Sequence, residues 1–159
     1  MEKVLHLNDR EIVLSGDNFD NIDLQKILVI DYDNLAEEVA NFPYVLNQVN
    51  SLFVEAEDIL RRENFALEVL KDNLSDLKSR LSFSVIEIIK AKGIKTPTIQ
   101  NIEDEMSQNE EIKTLKSQIQ AKKKDIIDVT LNRDNLQGLF WSCKAKMDTI
   151  INLSNKLTL

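Results

Sequence analysis

The chain has very few residues that make turns, because only three glycines and two prolines occur among its 159 residues. Aromatic residues are scarce as well and make up 6% of the chain. A sequence with so little turn-forming material is poorly suited to a many-stranded β-fold. The composition therefore predicts a single domain-sized chain that is built from a few long helices.

Cysteine and histidine, which often carry chemistry, occur once each, as Cys143 and His6. One cysteine excludes an intramolecular disulfide, and one of each residue cannot assemble a zinc site. Cys143 falls on an apolar stripe, so we expect it to be a small core residue. The sequence also lacks a glycine-rich phosphate loop and a nucleophile with a histidine base. We predict a non-enzymatic protein with no catalytic residues, no metal and no cofactor.

Long hydrophobic runs are absent too. No stretch approaches the roughly 18 uncharged apolar residues that a transmembrane helix requires. Residues 1–6 lack the basic start and apolar run of a signal peptide. We therefore expect a cytoplasmic protein without a membrane partner.

The chain contains instead two long apolar stripes. The first runs from Leu46 to Ile88 and the second from Ile112 to Leu157, and in both the spacing alternates between three and four residues. Such a spacing averages about 3.5 residues, which keeps each stripe on one helix face and forms a coiled-coil seam. The sequence therefore predicts an all-α fold, a long antiparallel helical hairpin.

The positions of glycine and proline divide this pattern into elements. Pro43 bends the chain or opens the first long helix. Gly93 can close the C-terminus of that helix, and Thr96 with Pro97 is typical of a helix start. The predicted helices are 33–41, 43–92, 97–106 and 110–157.

The N-terminal arm, residues 1–32, does not share the heptad pattern of the helical domain, residues 33–159. Residues 4–7 and 10–14 have the composition of two short strands around the turn-forming pair at 8–9, which favours a β-hairpin; the alternative is a partly disordered interaction segment. An isolated hairpin is marginal in water, so the arm is expected to pack on the helices or on a neighbouring subunit.

The net charge of −7 is unevenly distributed. Residues 1–77 carry six Lys/Arg and seventeen Asp/Glu, whereas residues 78–124 carry ten Lys/Arg and six Asp/Glu. Residues 125–159 carry four of each. The basic excess at the predicted tip of the hairpin points to an anionic partner.

Within this basic region, five residues are predicted to bind nucleic acid: Lys78, Arg80, Lys122, Lys123 and Lys124. In an antiparallel hairpin, the numbers of two residues that face each other add up to a constant. If this sum is about 196–200, the five basic residues lie at the same height along the hairpin. Lys122 then opposes Lys78, an unfavourable pair unless an anion sits between them or Lys122 extends to water. Repeated around an oligomer, this ring would contact phosphates without reading sequence.

Polar residues on the stripes are candidates for fixing the register of the helices. The same sum brings Glu63 near Arg133 and predicts an ion pair. A two-helix hairpin does not cover such wide apolar faces, so we expect a homo-oligomer. Apolar residues of the second stripe are predicted to serve it: Leu136, Phe140, Met147 and Ile150.

Two segments resemble a known family. The run Leu77-Lys78-Ser79-Arg80-Leu81 and the helix segment at 136–143 resemble the UvsY recombination mediator family of T-even phages, over residues 44–157. The resemblance implies a ring-forming protein that binds single-stranded DNA in an infected host cell. It also implies two protein partners, a RecA-like recombinase that is loaded onto DNA and the single-strand-binding protein that covers this DNA. Lys78 and Arg80 match the basic pair of the family motif.

A second interpretation is a coiled-coil scaffold or adaptor, such as a virion component, that binds no nucleic acid. It accounts equally well for the heptads, the acidity and the arm. Under this interpretation the basic tip meets an acidic protein partner. Binding of an oligonucleotide distinguishes the two hypotheses.

Overall fold

The computed structural model describes residues 2–7, 10–16, 19, 21–22 and 24–157. Its elements in chain order are β1 (Glu2–Leu7), β2 (Arg10–Ser15), β3 (Asn21–Ile22), α1 (Leu24–Leu28), α2 (Leu35–Ala91), α3 (Ile99–Met106) and α4 (Glu110–Leu157). The long helices α2 and α4 form the predicted antiparallel hairpin, which confirms the all-α fold with a small N-terminal arm. The predicted turn at 8–9 lies outside the described residues.

The chain divides into two compact units. The first unit comprises Met1–Arg61 and Ile127–Leu159, and the second comprises Arg62–Ile126. Each unit contains one segment of α2 and one segment of α4, and each has its own hydrophobic core.

The N-terminal arm forms the predicted β-hairpin. Strands β1 and β2 pair antiparallel, with Leu5 opposite Ile12, and β3 extends the sheet by pairing Ile22 with Leu14. Leu5, Ile12 and Leu14 are buried, whereas Val4 and its partner are exposed. This alternation of buried and exposed side chains is what a strand with one covered face requires.

The core of the first unit joins the sheet, α1 and both long helices. The arm contributes buried residues such as Leu14 and Ile27, and the helices contribute Phe42, Leu136 and Cys143. Because one continuous core includes all of these elements, the arm is an integral part of the first unit. It packs on the helices, as the instability of an isolated hairpin led us to expect.

The predicted break at Pro43 does not occur, because α2 is one helix from Leu35 to Ala91. Proline removes one backbone hydrogen bond and costs about 3 kcal/mol inside a helix. Phe42 and Val45 on either side of it are completely buried in the same core. Burial of two such side chains contributes roughly 3–6 kcal/mol, which is enough to keep the helix continuous.

The core of the second unit follows the predicted stripe and then departs from it. Leu77 is buried as expected, but further along α2 the predicted Ile88 is exposed, and Val85 and Ile89 are buried instead. A straight α-helix has 3.6 residues per turn, so a strict 3.5-residue stripe drifts by about 20° per heptad. The drift moves the core onto the neighbouring residues.

The connection between the long helices begins with a Schellman motif. The N–H of Gly93 donates to the carbonyl of Lys90, and the N–H of Ile94 donates to the carbonyl of Ile89. Gly93 has φ of 93°, a left-handed conformation that glycine adopts without strain. The prediction that Gly93 closes the first long helix is confirmed.

Helix α3 begins two residues later than the sequence predicted, because Thr98 and not Thr96 is its N-cap. The Thr98 hydroxyl accepts from the N–H of Asn101, and the Asn101 side chain accepts from the N–H of Thr98. This capping box needs a polar residue three positions after the cap. Asn101 provides it for Thr98, whereas the corresponding residue for Thr96 is Ile99.

Candidate nucleic-acid interface

The predicted ion pair between Glu63 and Arg133 is not formed. Lys122 Nζ donates to Glu63 Oε2 at 2.6 Å and lies 3.9 Å from Asp125 Oδ2. Arg133 contacts its neighbour Asp134 instead, at 3.1 Å. The assumed sum of facing residue numbers was wrong, because Glu63 and Lys122 sum to 185 and lie side by side.

This pairing also separates the predicted basic residues. Lys78 is 15 residues beyond Glu63 on α2, which corresponds to about 22 Å of helix. A lysine bound to Glu63 is therefore not level with Lys78, and the predicted ring of five cations does not form. The hydrogen bond with Glu63 raises the pKa of Lys122 above its ordinary value, so this lysine stays charged but is already paired.

Arg80 lies in a different environment from the one predicted. It lines an open groove of the second unit together with Asp76, Glu110 and Glu111, above a floor that includes Leu77. The lining of this groove contains three carboxylates and one guanidinium, so its charged groups are mostly negative. Lys78 is half-buried in the same segment of α2. The groove is an unfavourable place for a phosphate.

The segment Ile112–Lys124 of α4 has a different character, because it contains five lysines and no acidic residue. Four of these lysines are exposed: Lys113, Lys116, Lys123 and Lys124. We call them the lysine face. Their spacing of three, seven and one residues keeps them within about 16 Å along α4 and within roughly 100° around it, and Lys116 and Lys123 each lie one turn from a buried isoleucine, Ile112 or Ile119.

The lysine face has few neighbours that neutralise it. Lys113 donates to Glu110 at 2.7 Å, one turn earlier on the exposed surface. In the part of the chain that the structure describes, Lys116, Lys123 and Lys124 have no hydrogen-bond or ion-pair partner. Lys113 and Lys116 were not among the predicted site residues. The absence of acidic residues over a whole helix segment was the signal that could have found them.

Another lysine of α4, Lys146, forms a buried ion pair in the first unit. Lys146 is 2% exposed and donates to the carbonyls of Ile27 and Val29, both at 2.8 Å, and to Glu38 Oε1 at 3.1 Å. The other oxygen of the fully buried Glu38 accepts from the N–H of Asp31. All three donors of the ammonium are used, so this ion pair ties the segment after α1 to both long helices.

Sequence reasoning missed the pair of Lys146 and Glu38, although a signal was present. From Leu139, steps of four and three along α4 reach Cys143 and then Lys146, and a further step of four reaches Ile150. A lysine at such a position is on the core side of its helix, where it requires a partner.

The residues that were predicted to serve an oligomer lie in the core of the first unit. Leu136 and Ile150 are buried there, and Phe140 and Met147 pack against the same cluster. Phe140 stacks on Phe53 with 6.0 Å between the ring centroids. Leu136 and Ile150 are therefore used within the chain, whereas Phe140 and Met147 remain partly exposed, and their role in an oligomer stays a prediction.

The described residues contain no group of three or more His, Cys, Asp or Glu side chains arranged to hold a metal ion. Cys143 is buried, and burial raises the pKa of its thiol to about 11 despite the nearby Lys146. A thiol with such a pKa is protonated at neutral pH and is a poor nucleophile. Among the described helices, none has an apolar stretch of the length needed to cross a membrane.

Comparison of the chain with protein-family models, curated proteins and solved structures finds no match.

Proposed function

We propose that the chain is a non-enzymatic protein that binds single-stranded DNA through the lysine face of α4 and acts as a recombination mediator. The observation that carries this proposal is the segment Ile112–Lys124, with five lysines and no acidic residue. Exposed lysines on one helix face attract a phosphate backbone without reading its sequence.

The spacing of the lysine face suits a phosphate backbone. Lys113 and Lys116 are about one helix turn apart, and Lys123 and Lys124 follow two turns further on. Flexible lysine side chains extend beyond the helix surface and can follow a single strand, whose backbone adapts its shape. Lys122 is not part of this surface, because Glu63 holds it at 2.6 Å.

The preference for a single strand and the role in recombination come from the resemblance to the UvsY family. In that role the protein helps to load a RecA-like recombinase onto DNA that a single-strand-binding protein covers. The basic pair of the family motif corresponds to Lys78 and Arg80. Because Arg80 shares its groove with Asp76, Glu110 and Glu111, we expect the lysine face to contribute more to binding than this pair.

Fluorescence anisotropy of labelled oligonucleotides tests the proposal. The wild-type chain should bind a single strand more tightly than a duplex of the same length. The triple variant Lys116→Ala/Lys123→Ala/Lys124→Ala should lose at least tenfold in affinity at about 0.1 M salt, because it removes three phosphate contacts.

A matched control removes the same charge from the first unit. The variant Lys26→Ala/Lys144→Ala/Lys156→Ala changes three exposed lysines outside the lysine face. It should keep most of the wild-type affinity. An equal loss of affinity in both triple variants would mean that only the net charge of the chain matters. Unchanged affinity in the lysine-face variant would refute the assignment of the binding site.

A second candidate function is that of a scaffold or adaptor. Tyr32, Tyr44 and Trp141 of the first unit are well exposed, and an anionic partner does not account for them. Exposed aromatic residues are common at protein–protein interfaces. A chain that binds no oligonucleotide even at low salt would favour this function.

A further inference from the structure

Trp141 is the only tryptophan of the chain, and its side chain is 55% exposed on α4 in the first unit. Four other aromatic side chains that the structure describes are also well exposed: Tyr32, Tyr44, Phe65 and Phe83. Exposure alone therefore does not distinguish Trp141 from the rest. The contacts that hold its ring do.

Two phenylalanines and a lysine fix the position of the Trp141 ring. Phe140 makes a T-shaped contact with it, with 5.4 Å between the ring centroids, and Phe140 itself stacks on Phe53. The Lys144 ammonium lies over the indole, 5.1 Å from its centroid. In the described part of the chain, the other four exposed aromatic residues have no contact with another ring. Trp141 is therefore an exposed ring that is held in place before any partner arrives.

The surroundings of Trp141 on its own helix are open and lack acidic residues within one turn. Gly138 lies one turn before it, and a side chain at that position would meet nothing within 4 Å. On this side of α4 the next carboxylates are those of Asp134 and Asp148, each two turns or about 10 Å away. Asp134 is engaged by Arg133 at 3.1 Å. The helix surface beside the ring thus leaves room for a flat group that carries an anion.

A nucleobase of a single DNA strand is such a group. Its flat face is free to stack on an aromatic side chain, and this stacking does not depend on the sequence. In a duplex the neighbouring base pairs cover these faces, so a ring on the protein surface has nothing to stack on. The lysine face attracts the phosphates of either form. Stacking on a ring can therefore distinguish a single strand from a duplex, which the lysine face alone does not do.

We propose that Trp141 stacks on a base of bound single-stranded DNA and gives the chain its preference for single strands. This inference rests on the proposed function, and it assigns the preference to a residue outside the lysine face. Lys144 covers one face of the indole, so the base takes the other face. Phe140 and Phe53 hold the ring in position, which reduces the entropy that is lost on binding.

The fluorescence of the wild-type chain tests the stacking without any substitution, because all tryptophan emission comes from Trp141. A single strand of thymidines should quench this emission as it binds, since a stacked base contacts the indole. An oligonucleotide of the same length without bases keeps the phosphates, so it should bind to the lysine face and leave the emission unchanged. Equal emission with both oligonucleotides bound would overturn the stacking.

Substitution of Trp141 separates stacking from charge. Trp141→Ala should lower the affinity for a single strand by roughly fivefold or more and the affinity for a duplex by less than about twofold. The salt dependence of binding should not change, because no phosphate contact is lost. Trp141→Phe keeps an aromatic ring and should retain most of the affinity. Circular dichroism checks that both variants keep their helices.

The matched control is Phe83→Ala, which removes a ring that is 82% exposed but contacts no other ring. This variant should bind a single strand like the wild type. A loss of affinity in Phe83→Ala as large as that in Trp141→Ala would overturn the assignment to Trp141.

Two further outcomes separate this inference from the proposed function. If Trp141→Ala binds a single strand as tightly as the wild type while the lysine-face triple variant does not, the stacking is overturned and the proposed function stands. If the wild-type chain binds no oligonucleotide even at low salt, the proposed function fails and the stacking fails with it.

Discussion

The two units contain the same kind of ion pair in different surroundings. In both, a lysine of α4 meets a glutamate of α2: Lys146 with Glu38 in the first unit and Lys122 with Glu63 in the second. The first pair is almost completely buried, with side chains 2% and 0% exposed, whereas the second pair is 26% and 28% exposed.

This difference in burial changes what each pair does. A buried ammonium needs all its donors satisfied, and Lys146 obtains them from two carbonyls and a carboxylate. Lys122 is partly exposed, so water can replace its partner with little loss of free energy. The first pair therefore fixes the arm on the helices, and the second pair only favours one register.

The largest effect is expected from breaking the buried pair. Lys146→Met keeps most of the length of the unbranched side chain but leaves the Glu38 carboxylate without its cation. The free energy of unfolding should fall by about 3–5 kcal/mol, because an unpaired buried charge remains. Denaturation by urea, followed by circular dichroism, measures this change.

Two further variants control this prediction. Lys144→Met changes an exposed lysine two residues away and should alter stability by less than about 0.5 kcal/mol. Lys146→Met combined with Glu38→Leu should be less destabilised than Lys146→Met alone, since no unpaired charge is left. A loss below about 1 kcal/mol in Lys146→Met would contradict the role of this pair.

A smaller effect is expected from the pH dependence of Cys143. Its pKa is raised to about 11 from an ordinary value of 9.0, so the folded chain holds this proton more tightly than the unfolded chain does. The corresponding stability is complete below pH 9 and is lost as the pH rises from 9 to 11. At pH 10 the loss should be on the order of 1 kcal/mol relative to pH 8.

Comparison with Cys143→Ala isolates the thiol from other groups that titrate in this range. Between pH 8 and pH 10 the stability of this variant should fall less than that of the wild type. The difference between the two falls should equal the loss that is expected from the thiol. Equal losses of stability in the two proteins would show that burial does not raise the pKa of the Cys143 thiol.

The smallest effect is expected from the exposed pair of the second unit. Lys122→Gln and Glu63→Gln should each lower stability much less than Lys146→Met does, and the coupling between them should weaken at 0.5 M salt. A double-mutant cycle measures this coupling. The pKa of Lys122 is raised, so the contribution of the pair should persist below pH 10.5 and disappear above it. A coupling that salt does not change would contradict this account.

The sequence was a good guide to the fold because the apolar period is long and regular. It predicted the bounds of α4 at 110–157, the end of α2 at Gly93 and the β-hairpin of the arm. It failed at Pro43, where burial of Phe42 and Val45 overrides the local preference of proline. Local signals predict element boundaries well only where tertiary packing does not oppose them.

The site was harder to predict than the fold, because it depends on the register between two helices. The stripes fix which side of each helix is buried, but an error of about a dozen residues in the assumed sum paired Glu63 with Arg133 instead of Lys122. The same error brought Lys78 and Arg80 level with Lys122. Lys123 and Lys124 remain in the site because they depend on one helix only.

The salt dependence of binding to single-stranded DNA tests the central claim most directly. The logarithm of the association constant should fall linearly with the logarithm of salt concentration for the wild type. The slope should shrink by about 2 in Lys116→Ala/Lys123→Ala/Lys124→Ala, since each phosphate contact on a single strand contributes about 0.7. Lys78→Ala/Arg80→Ala should leave it nearly unchanged. A wild-type slope in the triple variant, or a larger loss in Lys78→Ala/Arg80→Ala, would contradict the lysine face as the DNA site.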